Sequence, residues 1–324
     1  MKKIILVILF VIPTLAFSQK EGNVWMMGSG DGIDSTFSTF TMDFNFEPPI
    51  IEQRVQDFSF HYSNSSICNP EGNLLFYSNG IDIQNDDNEV IINGEAFQSG
   101  NYSIGFPVTQ SSLFLPYPER EEEYLFFTSE LVPYINAGGN LDGGGSPYTY
   151  SHITKNSDEE WQVVEKEIVI NSDTLLIDQL TAVRHANGRD WWVITFKNDT
   201  NQFYRFLVSP NGVSFVGIQE VGDIFSHSLG QTSFSPDGKW YARYNWIGVI
   251  GVQTWKRIDL YQFDRCTGLF SNHQHELLPG EGAPGGVAFS PNSELLYISA
   301  WDSCLLYTSP SPRDATLSRM PSSA

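Results

Sequence analysis

One short pattern recurs along this chain and constrains its fold more than any other feature. An apolar strand end runs into a tight turn, and the turn runs into a strongly β-forming strand. Ile67–Tyr77 has it around Asn69-Pro70-Glu71-Gly72, and Val183–Ile194 around His185-Ala186-Asn187-Gly188. Phe234–Ala242 has it around Ser235-Pro236-Asp237-Gly238, and Phe289–Ile298 around Ser290-Pro291-Asn292-Ser293. A copy with a longer turn leads from Leu113 through Pro116 and Pro118 to Tyr124-Leu125-Phe126-Phe127. Proline presets φ for a turn and the following Gly or Asn accepts positive φ, so each turn has a mechanical cause. The copies recur at a spacing of roughly 50 residues, which suits propeller blades.

Three of the units carry a second hairpin. Tyr148–Ile170 turns at Lys155–Glu159, Tyr204–Ile218 at Ser209–Gly212, and Ile258–Asn272 at Asp264–Gly268. Two hairpins per unit make four strands, which is one blade. The fold expected is therefore an all-β propeller of four-stranded blades, about four complete and part of a fifth. The early strands Asn23–Gly28 and Thr39–Phe44 are expected to supply an outer strand to a final blade. A pair of β-sandwiches also offers short strands at regular spacing, but it does not demand the same turn in every unit.

Both ends of the chain stand outside that pattern. Lys2 and Lys3 precede an apolar run from Ile4 to Val11, Pro13 breaks it, and Ala16-Phe17-Ser18 places small residues where a signal peptidase reads. Residues 1–18 are expected to be a cleaved signal peptide, with Gln19 first in the mature protein and no membrane insertion afterwards. At the other end, Cys304–Asp314 back-translates without a break into what resembles a transposase-type sequencing adapter read in frame, and Ser318–Ala324 fits its continuation. Residues 304–324 are expected to be a non-native, mobile tail, which leaves 19–303 as an incomplete propeller with uncovered end blades.

Charge narrows the partners. The chain carries 18 Lys+Arg against 38 Asp+Glu. Without the leader and the tail this becomes 14 against 37, a net charge near −23. Such a field repels phosphate backbones and anionic lipid surfaces, so nucleic acid is an unsuitable partner. An aromatic content of 14% supplies a core and argues against disorder. With the tail removed only Cys68 and Cys266 remain, too few for a disulfide scaffold, and their places in separate blades predict two free thiols.

Several blocks carry a resemblance. Asn73–Gly80, Leu180–Trp192, the Phe234–Gly238 turn and Phe263–Gly268 resemble a family of secreted, WD-repeat-like β-propeller proteins from bacteria that use type IX secretion. The likeness runs from about Asn23 to Ser303, and the run around His185 is its most specific part. In that family further domains and a sorting domain often follow the propeller, so the resemblance implies export to the cell surface or the medium. The family brings no catalytic residues to carry over.

Local constellations favour structure over chemistry. His185 sits at a turn and is expected to cap backbone groups, while Trp191 and Trp192 should point to opposite faces of one strand. Asp82, Asp86, Asp87 and Glu89 surround a turn without the order of a calcium-wrapping loop. Gly138–Gly145 lacks the Lys-Ser/Thr of a phosphate cradle and is expected to be a flexible loop. His273 and His275 share a face but have no third zinc ligand nearby in sequence. No elbow, zincin or C-x-x-C motif occurs, so no catalytic residue, metal site or cofactor is assigned.

Propeller geometry puts the A–B and C–D turns on one face and the B–C and D–A connections on the other. The second set is long here: Glu95–Gln110, Ser129–Pro147, Val221–Gln231, Tyr244–Trp255 and His273–Gly286. Elaborated loops on a rigid scaffold are where binding concentrates. Tyr134, Trp246 and His227 are therefore the candidate ligand-binding residues. The expected function is a non-catalytic extracellular or cell-surface binding module, for carbohydrate or a surface protein. The alternative is a propeller hydrolase or lactonase with a metal in the central channel. Carboxylates and imidazoles at the channel mouth would mark the enzyme, and small or apolar residues the module.

Overall fold

The period-two alternation of the repeats produces sheets and no helix among the described residues. The computed structural model describes residues 20–28, 39–54, 58–100, 102, 105–136, 139, 141–224, 230–247, 255–279, 285–300, 303–308 and 318–319. A first small sheet contains β1 (Val24–Met27), β2 (Thr39–Asp43) and β3 (Ile50–Arg54). Five antiparallel sheets that carry the recurring turn follow as blades. They are β4 (Ser65–Cys68) to β6 (Ile83–Asn85) with β5 (Leu74–Ser78) between; β7 (Leu113–Pro116), β8 (Tyr124–Ile135), β9 (Leu141–Lys155) and β10 (Trp161–Asn171); and β11 (Thr181–Arg184), β12 (Trp191–Phe196), β13 (Gln202–Ser209) and β14 (Gly212–Glu220). Next come β15 (Gly230–Phe234), β16 (Trp240–Ile247), β17 (Trp255–Asp264) and β18 (Leu269–Pro279), then β19 (Gly285–Phe289), β20 (Leu295–Ala300), β21 (Ser303–Thr308) and β22 (Ser318–Arg319).

The core is a series of layers between neighbouring sheets. Successive side chains on a strand feed opposite layers. Trp192 packs with Phe203, Tyr241, Tyr261 and Phe270 between the β11–β14 and β15–β18 sheets. Its neighbour Trp191 packs on the layer toward β7–β10, beneath the Arg184 guanidinium at 3.8 Å from the ring centre. Ala242, Tyr244, Ile258 and Leu260 face the next sheet, where Val287, Leu296 and Ile298 meet them. The tight turns then bolt the sheets together on one face. His185 contacts the Cys266 carbonyl at 3.1 Å, Trp192 donates its indole N–H to the Arg265 carbonyl at 2.9 Å, and Arg189 pairs with Glu119 at 3.1 Å. The expected capping role of His185 is what the structure contains, since its Nδ1 also accepts from the Asn187 amide at 3.0 Å. Cys68 and Cys266 are both free.

Four expectations about elements need correction. The first blade has three strands, because residues after β6 fold back and Ile92 bridges to Gln162 in the next sheet. The early strands pair with each other and with β3, because Val24 and Met26 are buried against Cys68, Leu74 and Tyr77 beside the first blade. The glycine run is a strand over Leu141–Gly145, paired with Leu131–Ile135, so the loop expected at 129–147 is a long ribbon. Crowding explains it: a Cβ on Gly144 would lie 2.5 Å from Thr174, and one on Gly145 would lie 2.5 Å from Ser129. Finally, the backbone of Ser303–Thr308 lies along β20, in the space expected to hold only a mobile tail. An uncovered strand edge accepts any extended backbone, because the ladder carries no side-chain signature.

Candidate functional site

The inner strands of the sheets splay apart around the centre, which leaves backbone groups that no ladder satisfies. Short amide and hydroxyl side chains fill them. Gln110 reaches past the neighbouring sheet and pairs in bidentate fashion with Thr232, accepting from its N–H at 2.8 Å and donating to its carbonyl at 2.9 Å. Gln231 accepts from the Val287 amide at 2.8 Å. Ser66 donates to the Val24 carbonyl at 2.9 Å, Asn64 donates to the Met26 carbonyl, and Thr109 donates to the Gly230 carbonyl at 3.1 Å.

Asn64, Ser66, Thr109, Gln110, Gly230 and Gln231 line an open cavity of about 470 Å³, formed from β1, β4, β15, β19 and the segments before β4 and β7. Its described lining consists of glycines, hydroxyls and amides with Met27 and two aromatic rings, Trp25 and Tyr62. Trp25 is 49% exposed and Tyr62 62% exposed, which is unusual for large rings. The Trp25 indole N–H donates to the Gly22 carbonyl at 2.9 Å and its ring packs at 4.8 Å on Phe44, so the exposed ring is held in place. Gly230 and Gly285 allow the strands to crowd here, since a Cβ on either would meet a carbonyl oxygen at 2.0 and 2.1 Å. The cavity therefore offers hydrogen-bonding groups of neutral type beside two flat apolar faces.

Of the residues expected from sequence, Tyr134 falls elsewhere. Tyr134 lies on the β8–β9 ribbon opposite Asp142, half-buried, and burial followed by the nearby carboxylates pushes its hydroxyl well above the usual tyrosine range. Trp246 belongs to β16 and pairs with Lys256, so it is a strand residue where a loop was expected. His227 lies outside the described residues. Tyr134 is not among the residues that line the central cavity. Trp25, Tyr62, Gln110 and Gln231 escaped sequence reasoning. The available signal was a glutamine at or just before three inner strands: Gln110, Gln179 and Gln231.

Away from the cavity, the layer between the β11–β14 and β15–β18 sheets ends in a charged cluster. Asp259 is fully buried and receives Arg257 at 2.8–3.0 Å and His273 at 2.7 Å. Burial opposes its ionisation, but the His273 and Arg257 hydrogen bonds outweigh it and hold the carboxyl below its ordinary range. Arg257 also reaches Asp223 at 2.8 Å, and Asp223 lies 3.0 Å from His275. The hydrogen bond from Arg257 keeps Asp223 ionised below the usual carboxylate range. Sequence reading found the two histidines and missed Asp223, which lies on the connection from β14 to β15. The acidic turn at Asp82–Glu89 is a turn organised by Asn85, which accepts from the Asp87 and Glu89 amides.

Fold, turns and central cavity together define the class, an all-β propeller with blades of three or four strands. No protein-family model matches the chain, and no curated protein matches it in sequence. Among solved structures, a candidate 6-phosphogluconolactonase of Bacteroides fragilis is similar with a TM-score of 0.45 at 11% identity, covering 92% of this chain and 93% of that one. A functionally unknown protein of Desulfotomaculum acetoxidans gives 0.43 at 11% identity, covering 86% and 77%. The tricorn protease gives 0.23 at 10% identity over 92% of this chain and 29% of its own. Likenesses this distant say nothing about activity.

Proposed function

We propose that this chain is an exported, non-catalytic binding module whose central cavity takes a neutral, hydroxyl-rich ligand, carbohydrate in the first instance. The chemistry of the lining is the observation that carries this reading. Exposed aromatic faces suit the apolar side of a sugar ring, and amides supply donors and acceptors for its hydroxyls. Spare capacity remains after the structural hydrogen bonds: Gln231 Nε2, Asn64 Oδ1 and the Tyr62 hydroxyl have no partner among the described residues. Lactone hydrolysis in the same cavity would call for a carboxylate or imidazole to move protons or hold a metal. The described lining offers amides and hydroxyls in those places. Secretion to the surface or medium is supported by the signal-like leader and by the resemblance to type IX cargo.

An immobilised glycan panel tests the proposal. The full chain should be retained by neutral oligosaccharides and not by sulfated or sialylated ones, because its formal charge of −20 repels anions. Retention only on anionic glycans, or on none, would refute it.

A further inference from the structure

Asp223, His273 and His275 come together from two separate elements. One ligand atom from each lies within 4.8 Å of the others. A bulge in β18, where the register shifts between Leu260 and Gln262, sets the two histidine rings 5.8 Å apart and nearly parallel. The His273 ring is further fixed by stacking on Tyr261 at 4.6 Å.

The state of each group favours a cation. His273 Nε2 lies 2.7 Å from an oxygen of the buried Asp259 carboxyl group, an acceptor that Arg257 also grips, so Nε2 is the nitrogen that donates. His273 Nδ1 is then left as a lone pair with no hydrogen-bond partner among the described residues. A carboxylate behind an imidazole is how proteins orient and strengthen a histidine ligand to a metal. The approach to Nδ1 passes Gly222, which has φ of +79°, and a Cβ there would lie 3.1 Å from that nitrogen. Arg257 reaches Asp223 at Oδ2, which leaves Oδ1 without a partner among the described residues. His275 lies 3.0 Å from Asp223 and is 42% exposed, so the cluster opens to solvent on one side.

We propose that Asp223, His273 and His275 form a divalent-metal site of the zinc type, binding an ion between one blade and the outer strand of the next. Two imidazoles and a carboxylate suit zinc and its neighbours over calcium or magnesium, which want oxygen ligands. Three protein ligands leave one position to water. The ion would tie the β14–β15 connection to β18. The site is independent of the central cavity, so either reading can fail without the other.

The test is calorimetric titration of the chelator-stripped full chain with zinc chloride, beside titrations with calcium and magnesium. One equivalent of zinc should bind with a Kd on the order of 1 µM or below. His275→Ala and Asp223→Asn should each weaken binding at least about tenfold while leaving far-UV circular dichroism unchanged. His275→Ala removes a half-exposed side chain and is the variant expected to keep the fold. Absence of zinc binding, zinc binding that survives both substitutions, or a preference for calcium would overturn the site.

Discussion

The wall of the central cavity and the layer between β11–β14 and β15–β18 solve the same problem by opposite means. Both must satisfy polar groups away from bulk water. The cavity wall does so with neutral amides and hydroxyls reaching backbone groups, each such bond contributing about 0.5–1.5 kcal/mol. The layer does so with Arg257, Asp259 and His273, where every charge depends on another. A neutral wall leaves donors and aromatic faces for a visitor, whereas in the charged cluster Asp259 is committed to Arg257 and His273. That contrast is why binding is proposed for the cavity and cohesion for the layer.

The contrast breaks most visibly in stability. Asp259→Ala removes the fully buried acceptor shared by Arg257 and His273 and should lower unfolding free energy by about 3–5 kcal/mol in urea titrations. A loss under about 1 kcal/mol would show that the charges are solvated after all. Within the cavity, Gly230→Ala drives a Cβ to 2.0 Å from the Tyr244 carbonyl, while a Cβ on Gly22 meets nothing within 4 Å. The first substitution should cost about 1–3 kcal/mol and the second less than about 0.5. Equal effects on the melting temperature would mean that the inner strands are not so closely packed. Smaller again, Gln231→Ala frees only the Val287 amide and should cost about 0.5–1.5 kcal/mol by the same measurement.

The blades were legible because their signal is local. Ser235-Pro236-Asp237-Gly238 and its relatives dictate a turn by backbone chemistry alone, and the flanking alternation then assigns faces. The ribbon at Gly143–Gly145 was not legible, because glycine reads as a loop unless one knows that Thr174, Leu175 and Ser129 crowd it. Asp223 was equally hidden: it comes within reach of His275 only when the β14–β15 connection crosses to the next blade. Trp25 and Tyr62 stand out only after folding, since an exposed ring and a core ring are the same letter. Sites assembled across blades leave no spacing to read, which is why Tyr134, chosen from a long connection, does not line the cavity.

The central claim is that the exposed rings of the cavity are its binding surface. Calorimetric titration with a neutral oligosaccharide retained on the glycan panel tests it most directly, comparing the full chain with the Trp25→Ala/Tyr62→Ala double variant. Both rings are at least half solvent-facing or close to it, at 49% and 62%, so the variant should unfold within about 1 kcal/mol of the parent. It should nevertheless lose at least about tenfold in affinity, the equivalent of about 1.4 kcal/mol. Unchanged affinity in a folded variant would contradict the account and place the binding surface elsewhere on the propeller.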